Sequence, residues 1–230
     1  YHRPATFSNI AIDHRPAKSG IVGTDRNTNI IEGELAAGRK DEFLAFCYSG
    51  ELLARYRQTR DSGFQELAIN AMITCLENRR RLPASVMALL AYRIAKEYLY
   101  SETDGTKLEV KVSNLNQVET YANLSQCFDA RYGEPLFLLG EVSFLRGDLK
   151  KAAGWYKAAM EKKAECLDEK EVAFYGELPL RRLISVCLRQ GKREEALLYN
   201  RQLMVLCPND AKLLEAHGKI ASEINMAVKE

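Results

Sequence analysis

Two stretches in the second half of the chain repeat one another. Gly147 is followed five residues later by Ala152, and Gly191 is followed by Ala196 in the same way, so both pairs recur at a spacing of 44 residues. Leucines precede each glycine in matching order: Leu136 and Leu139 in one copy, Leu180 and Leu183 in the other. Internal repetition of this kind is typical of arrays in which each unit buries its apolar face against the next. The repetition therefore predicts a solenoid.

Within each copy the residues follow the pattern of a helical hairpin. The apolar residues of the second copy keep the i, i+3, i+4, i+7, i+8 spacing of an amphipathic helix: Leu180, Leu183, Ile184, Cys187 and Leu188. Gly191 follows this helix, at the place where a residue with positive φ commonly ends one. Small residues at Gly140, Ala152 and Ala196 would let two antiparallel helices approach closely. Each copy is thus predicted to contain two antiparallel helices.

This pattern resembles the tetratricopeptide repeat (TPR), whose usual period is about 34 residues. The longer spacing is explained by an extra stretch near residues 162–170, between one hairpin and the next. A third, partial copy begins with Leu214, His217 and Gly218, after the Pro208-Asn209-Asp210 turn that usually ends a repeat in this family. The resemblance implies an all-α fold, a TPR-like helical-hairpin solenoid.

Upstream residues predict more helices of the same kind. The ranges are 42–57, 64–77, 84–100 and 114–129, with Pro83 at a first helical position and residues 101–107 as a polar loop. Together with the C-terminal copies, they predict about four hairpins and a final helix.

The N-terminal residues differ from the rest. Residues 6–13 alternate apolar and polar side chains and predict a short strand. Thr24 or Asp25 is expected to cap a helix that begins near Arg26 and stops around Gly38. We therefore divide the chain into an extended N-terminal segment, residues 1–24, and a helical repeat domain, residues 25–230, and the segment reads as the tail end of a preceding domain.

A second resemblance lies in this region. The string Ile10-x-Ile12-Asp13-His14, followed by Thr24-Asp25-Arg26-Asn27 and then by Ile30, Ile31 and Leu35, is similar to the end of the catalytic domain in bacterial family-2-type glycosyltransferases. In that group a final strand ends in His, a helix begins with Arg-Asn, and TPR-like helices often follow. The resemblance implies the C-terminal region of a nucleotide-sugar-dependent glycosyltransferase whose catalytic core is absent from this chain.

The glycosyltransferase resemblance also implies cofactors and a ligand. The parent enzyme would use a nucleotide-sugar and a divalent metal, and a glycan acceptor would be among its partners. His14 would be the metal-contacting residue at the edge of the active site. Alone, His14 cannot form a metal site, since a metal needs several converging ligands; its simpler interpretation is a residue that ends a strand.

Catalytic motifs are missing from the sequence. It contains no D-x-D, G-x-S-x-G, H-E-x-x-H, P-loop or G-x-G-x-x-G pattern. We therefore predict no catalytic residues and no cofactor within this chain. His217 falls at a packing position of a predicted helix and is interpreted as a core histidine rather than a metal ligand.

Composition excludes several partners and compartments. The formal net charge is +2, from 33 basic and 31 acidic residues. This balance lacks the concentrated positive charge that binding to nucleic-acid phosphates needs, so nucleic acid is not expected as a partner. The six cysteines contain no C-x-x-C pair and are interpreted as reduced, mostly buried thiols of a cytoplasmic protein. No apolar run approaches the roughly 20 residues that a membrane span needs.

The TPR resemblance places a concave groove along the first helices of the hairpins, where partner peptides lie. The repeat register assigns these residues to it: Phe137, Glu141, Phe144, Arg181, Ser185, Arg189, Lys212 and Lys219. The four basic residues would form a stripe facing an acidic protein or peptide partner. The family's carboxylate clamp is not matched, because Phe137 and Glu141 stand where Lys and Asn are expected. The alternative is that these charges are solvated and bind nothing.

The sequence leaves two functions open. One is a scaffold region of a glycosyltransferase, and the other is a free-standing TPR adaptor that binds a protein partner in its concave groove. A complete small enzyme is disfavoured, because no catalytic constellation supports it.

Overall fold

The structure is a computed structural model that describes residues 22–38, 42–77, 82–103, 107–110, 112–162 and 173–227. Within these ranges the helices are α1 (Val22–Ala36), α2 (Glu42–Thr59), α3 (Ser62–Glu77), α4 (Ala84–Leu99), α5 (Leu115–Phe128), α6 (Glu134–Leu145), α7 (Leu149–Glu161), α8 (Glu177–Arg189), α9 (Arg193–Leu206) and α10 (Ala211–Ala227). Two short strands, β1 (Tyr100–Thr103) and β2 (Lys107–Val110), lie between α4 and α5, and a 3-10 turn, Val112–Asn114, precedes α5.

The helices pack as a series of hairpins. Helix α2 packs on α3, α4 on α5, α6 on α7 and α8 on α9, and successive hairpins meet through α3 and α4, α5 and α6, and α7 and α8. Helix α10 packs on α9 and completes the array, while α1 packs on α2 at the other end. The chain is therefore an all-α, TPR-like helical-hairpin solenoid, and the prediction of four hairpins and a final helix is confirmed for the described residues.

The matching glycines end their helices in the same way. Gly147 has φ +82° after α6, and Gly191 has φ +73° after α8. In each case the glycine and the next residue donate their N–H groups to carbonyls of the last helical turn, from Asp148 to Ser143 at 2.9 Å and from Lys192 to Cys187 at 2.9 Å. This is the Schellman arrangement, which favours glycine because it needs a left-handed residue.

Helix α6 lies at the centre of the core. Its residues from Glu134 to Phe144 are all buried, because α4, α5 and α7 pack around it. The helix is apolar on nearly every side, which is typical of a buried helix rather than a surface one. A glycine permits this packing, since a Cβ on Gly140 would lie 2.6 Å from Cδ1 of Tyr156 on α7. The predicted close approach at Gly140, Ala152 and Ala196 is confirmed, and both alanines are fully buried.

Several boundaries differ from the predictions. The segment predicted as a polar loop forms an antiparallel hairpin in which Tyr100 pairs with Val110 and Thr103 with Lys107. The alternation of Leu108 and Val110 with charged residues in the sequence favours a strand there. Pro83 is the residue before α4 rather than its first residue.

The N-terminal helix also begins earlier than predicted. Helix α1 begins at Val22, so Thr24 and Asp25 lie inside it rather than at its cap position. It ends as predicted, with Gly38 at φ +84°. The predicted strand at residues 6–13 and His14 lie outside the described residues.

The cysteines are less buried than predicted. Cys75 and Cys187 are buried, Cys47 and Cys207 are partly exposed, and Cys127 is exposed. The prediction of mostly buried thiols is therefore wrong for three of the five cysteines in the described ranges: Cys127 lies on the exposed side of α5, and Cys47 and Cys207 are only partly covered. None of the described helices combines the length and apolar character that crossing a bilayer requires.

Candidate partner-binding groove

The three predicted groove residues of α6 are buried by the chain itself. Phe137 is 2% exposed, Glu141 is 1% exposed and Phe144 is 7% exposed. The expectation that they face an open groove is wrong in this structure, and the residues that cover them explain why.

Phe137 is covered by a turn that precedes α8. Its ring contacts Phe174 edge to face at a centroid distance of 4.9 Å, and Tyr156 in a tilted arrangement at 5.5 Å. Phe174 belongs to the 3-10 turn at residues 173–175, which comes just before α8. The connection between α7 and α8 thus contributes an aromatic side chain to the core.

Glu141 is held by two neighbours. It accepts a hydrogen bond from the hydroxyl of Tyr156 at 2.7 Å and forms an ion pair with Arg182 of α8 at 2.6 Å. Burial, together with the Glu141 carboxylate, raises the pKa of the Tyr156 hydroxyl, so it stays a neutral donor. Burial lowers the pKa of Arg182, but the charge and the hydrogen bond of Glu141, with smaller contributions from Tyr156 and Tyr100, together outweigh burial and raise that pKa. This pair links α6 to α8 instead of facing a partner.

Phe144 lies beneath two guanidinium groups. Arg189 stands over its ring at 4.2 Å, and Arg182 at 5.5 Å. Such cation–π contacts contribute about 0.5–2 kcal/mol, depending on desolvation. Arg189, a predicted groove residue, is thus engaged within the chain.

The remaining predicted groove residues lie on α8 and α10. Arg181 pairs with Glu177 at 3.0 Å and with Asp210 at 2.9 Å, and its hydrogen bond lowers the pKa of Asp210. Ser185 donates its hydroxyl hydrogen bond to the carbonyl of Arg181 at 3.0 Å.

On α10, Lys212 is exposed, and Lys219 pairs with Glu215 at 2.7 Å. Acidic residues of the same chain therefore balance much of the predicted basic stripe on α8 and α10.

A second, open cleft lies between the first helices of the two preceding hairpins. It has a volume of about 120 Å³. Helix α2 contributes Gly50, Leu53 and Arg57, and helix α4 contributes Tyr92, Arg93, Lys96 and Glu97. The cleft resembles the predicted groove in being formed by the first helices of hairpins, but these hairpins come earlier in the chain.

Three basic residues and one acidic residue line the cleft, and the guanidinium of Arg93 also lies over the ring of Phe46 at 5.9 Å. Arg57, Arg93 and Lys96 line it, against the single acidic residue Glu97, whose carboxylate accepts a hydrogen bond from Gln65 at 2.8 Å. Guanidinium and ammonium groups bind carboxylates through charge-assisted hydrogen bonds. The chemistry of the cleft therefore suits an acidic ligand.

This cleft was not predicted from the sequence, although a signal was present. Arg93 and Lys96 are three residues apart, the spacing that places two side chains on one face of a helix. The repeat register extends only over residues from Leu136 onward, where the repeated glycines define it.

The described residues contain no cluster of three or more His, Cys, Asp or Glu side chains that could hold a metal ion. His217 lies with its Nδ1 atom 3.3 Å from the side-chain oxygen of Asn200 on α9. His217 is partly exposed, so the structure does not place it in the core as predicted.

A scan against models of protein families and a search of curated proteins each found no match for this chain. Among solved structures, the chain is similar to the crystal structure of TTC0263, a thermophilic TPR protein in Thermus thermophilus. The identity is 16% and the TM-score 0.48, over 86% of this chain and 91% of that chain.

Proposed function

We propose that this chain is a TPR-type scaffold that binds an acidic segment of a partner protein in the cleft between α2 and α4. The proposal rests on one observation, the convergence of Arg57, Arg93 and Lys96 on an open cleft with one acidic residue. A partner carboxylate can pair there with two kinds of cation, a planar guanidinium and a compact ammonium.

The burial of the groove positions on α6 supports this location. Phe137, Glu141 and Phe144 are covered by other parts of the chain. A ligand at these positions would have to displace buried side chains, whereas the α2–α4 cleft has open volume.

The binding test uses a labelled octaglutamate peptide and fluorescence anisotropy. Charge reversal by Lys96→Glu or Arg57→Glu should weaken binding by about tenfold or more, since each removes an attraction and adds a repulsion. The matched control is Lys150→Glu on α7, an exposed charge away from the cleft. An octaglutamine peptide, with the same length and no charge, should not bind. Equal losses in Lys96→Glu and Lys150→Glu would show bulk charge attraction and contradict the proposal.

A finer proposal concerns the parent protein. The motif from Ile10 to Leu35 supports a C-terminal region of a nucleotide-sugar-dependent glycosyltransferase, in which the scaffold positions a glycan acceptor or a partner for the catalytic core. Under that proposal the nucleotide-sugar and divalent metal belong to the parent enzyme, with His14 at the metal. The test is the intact mass of the native gene product. A much larger mass, with a D-x-D motif ahead of Tyr1, supports it, and a mass near 26.0 kDa contradicts it in favour of the free-standing adaptor.

A further inference from the structure

The turn ahead of α8 places one aromatic ring against two first helices. Phe174 is 8% exposed and contacts Phe137 of α6 at a centroid distance of 4.9 Å. The same ring meets Tyr92 of α4 edge to face at 6.3 Å. Phe174 therefore lies across α4 and α6, on the α6 position that the repeat register assigns to a partner.

The next residue fixes the turn to the start of α6. The hydroxyl of Tyr175 accepts a hydrogen bond from the backbone N–H of Gly133 at 3.0 Å. It also donates a hydrogen bond to the buried carboxylate of Glu134. The fit is tight, since a Cβ on Gly133 would lie 2.9 Å from Cε1 of Tyr175. Two adjacent side chains of the turn thus engage both the N-terminus of α6 and the ring of Phe137.

We propose that residues 173–176 are an intramolecular ligand of the groove. They occupy at α6 the place that a partner's aromatic side chains would otherwise take. Tyr92 both lines the α2–α4 cleft and contacts Phe174, so the side chain of Tyr92 lies between the cleft and the turn. A bound partner segment then contacts α2 and α4 but does not extend onto α6. This last consequence rests on the proposed function, whereas occupancy of the α6 site does not.

The test removes the side chain of Phe174 and then adds the sequence of the turn as a separate peptide. The full chain carrying Phe174→Ala is titrated with acetyl-Ala-Phe-Tyr-Gly-amide, and binding is followed by NMR of the backbone amides. The peptide should bind this variant at least about tenfold more tightly than the wild-type chain, because the vacated site can bury a phenylalanine ring that wild type already holds. The amides of Tyr92 and Phe137 should shift on binding.

Two controls separate a shaped site from a mere cavity. The peptide acetyl-Ala-Ala-Tyr-Gly-amide should not bind Phe174→Ala. Leu203→Ala, which opens a cavity at a fully buried position of α9, should not bind the phenylalanine peptide. Failure of folded Phe174→Ala to bind the peptide, or equal binding by Leu203→Ala, would overturn the proposal.

A milder variant covers the case in which Phe174→Ala does not fold. Tyr175→Phe keeps both rings but removes the hydrogen bonds to Gly133 and Glu134, so the turn is held less firmly. The peptide should then bind severalfold more tightly than to wild type, and an unchanged affinity would overturn the proposal. Octaglutamate binding is measured separately, so a failure of the α2–α4 cleft proposal is distinguishable from a failure of this one.

Discussion

Gly140 leaves room for the ring of Tyr156 between α6 and α7. Because a Cβ at this position would lie 2.6 Å from Cδ1 of Tyr156, which is fully buried, neither helix can yield without repacking. We predict that Gly140→Ala lowers the free energy of unfolding by about 1–3 kcal/mol, the usual cost of overpacking a core. Urea denaturation followed by circular dichroism measures this change.

The control for that prediction is another helical glycine. A Cβ on Gly154 of α7 would have no heavy atom within 4 Å, and the residue is exposed. Gly154→Ala should therefore raise the free energy of unfolding by about 0.5–1 kcal/mol, through helix propensity alone. Changes of the same sign in the two variants would contradict the role assigned to Gly140.

Cysteine reactivity should follow burial. Burial, with the added effect of the Glu42 charge, raises the pKa of the Cys75 thiol from 9.0 to about 11, whereas Cys127 is exposed. Since the thiolate is the reactive form, iodoacetamide near pH 8 should alkylate Cys127 well before Cys75. Peptide mass spectrometry over time measures the order, and labelling of Cys75 at the same rate as Cys127 would contradict the packing of α2 on α3.

The raised pKa of Cys75 also has a consequence for stability. The folded state favours the protonated thiol of Cys75. The stability that this thiol contributes is therefore fully present below pH 9.0 and is lost as the pH rises to about 11. Wild type should therefore lose more stability across this range than Cys75→Ala. Denaturant unfolding at the two ends of the range measures the difference, and parallel losses would contradict it.

At the scale of elements, the pair of Glu141 and Arg182 links α6 to α8. Removing only the cation leaves a buried carboxylate without its partner, which is costly, although the one-third exposure of Arg182 moderates the effect. We predict that Arg182→Ala lowers the free energy of unfolding by about 2 kcal/mol. Part of this loss also reflects the contact between Arg182 and Phe144.

The double variant separates the charge from the packing. With Glu141→Gln present, Arg182→Ala no longer leaves a buried charge, so the second change should cost less than it does in wild type. Thermal or urea unfolding of the four proteins completes the cycle. Equal costs in both backgrounds would show that the ion pair contributes nothing beyond packing.

Some elements were predictable from the sequence because periodicity and helix-ending glycines act locally. Helices α2, α3, α4 and α5 lie within two residues of their predicted bounds, and Gly147 and Gly191 end helices as expected. The turn carrying Phe174 and Tyr175 was not predicted, because its conformation depends on contacts with α6, far away along the chain. Two adjacent aromatic residues in the stretch between hairpins were the available signal.

At the scale of the whole molecule, the predicted groove does not extend over α6 as an open surface. The repeat register assigned Phe137, Glu141 and Phe144 to an open surface, since it assumes that nothing lies over the first helices. In the structure, α6 is covered by the turn ahead of α8 and by the guanidinium groups of Arg182 and Arg189. A register specifies which face of a helix a residue occupies, but not what packs on that face.

Mapping octaglutamate binding by amide NMR on the full chain tests the central claim most directly. We predict saturable shifts concentrated on α2 and α4, around Arg57, Arg93 and Lys96, that weaken steeply with added salt because charged pairs carry the binding. Shifts concentrated on α8 and α10, around Arg181 and Lys212, would contradict the proposed location and restore the groove first predicted. The absence of saturable shifts anywhere would contradict the scaffold's preference for acidic segments.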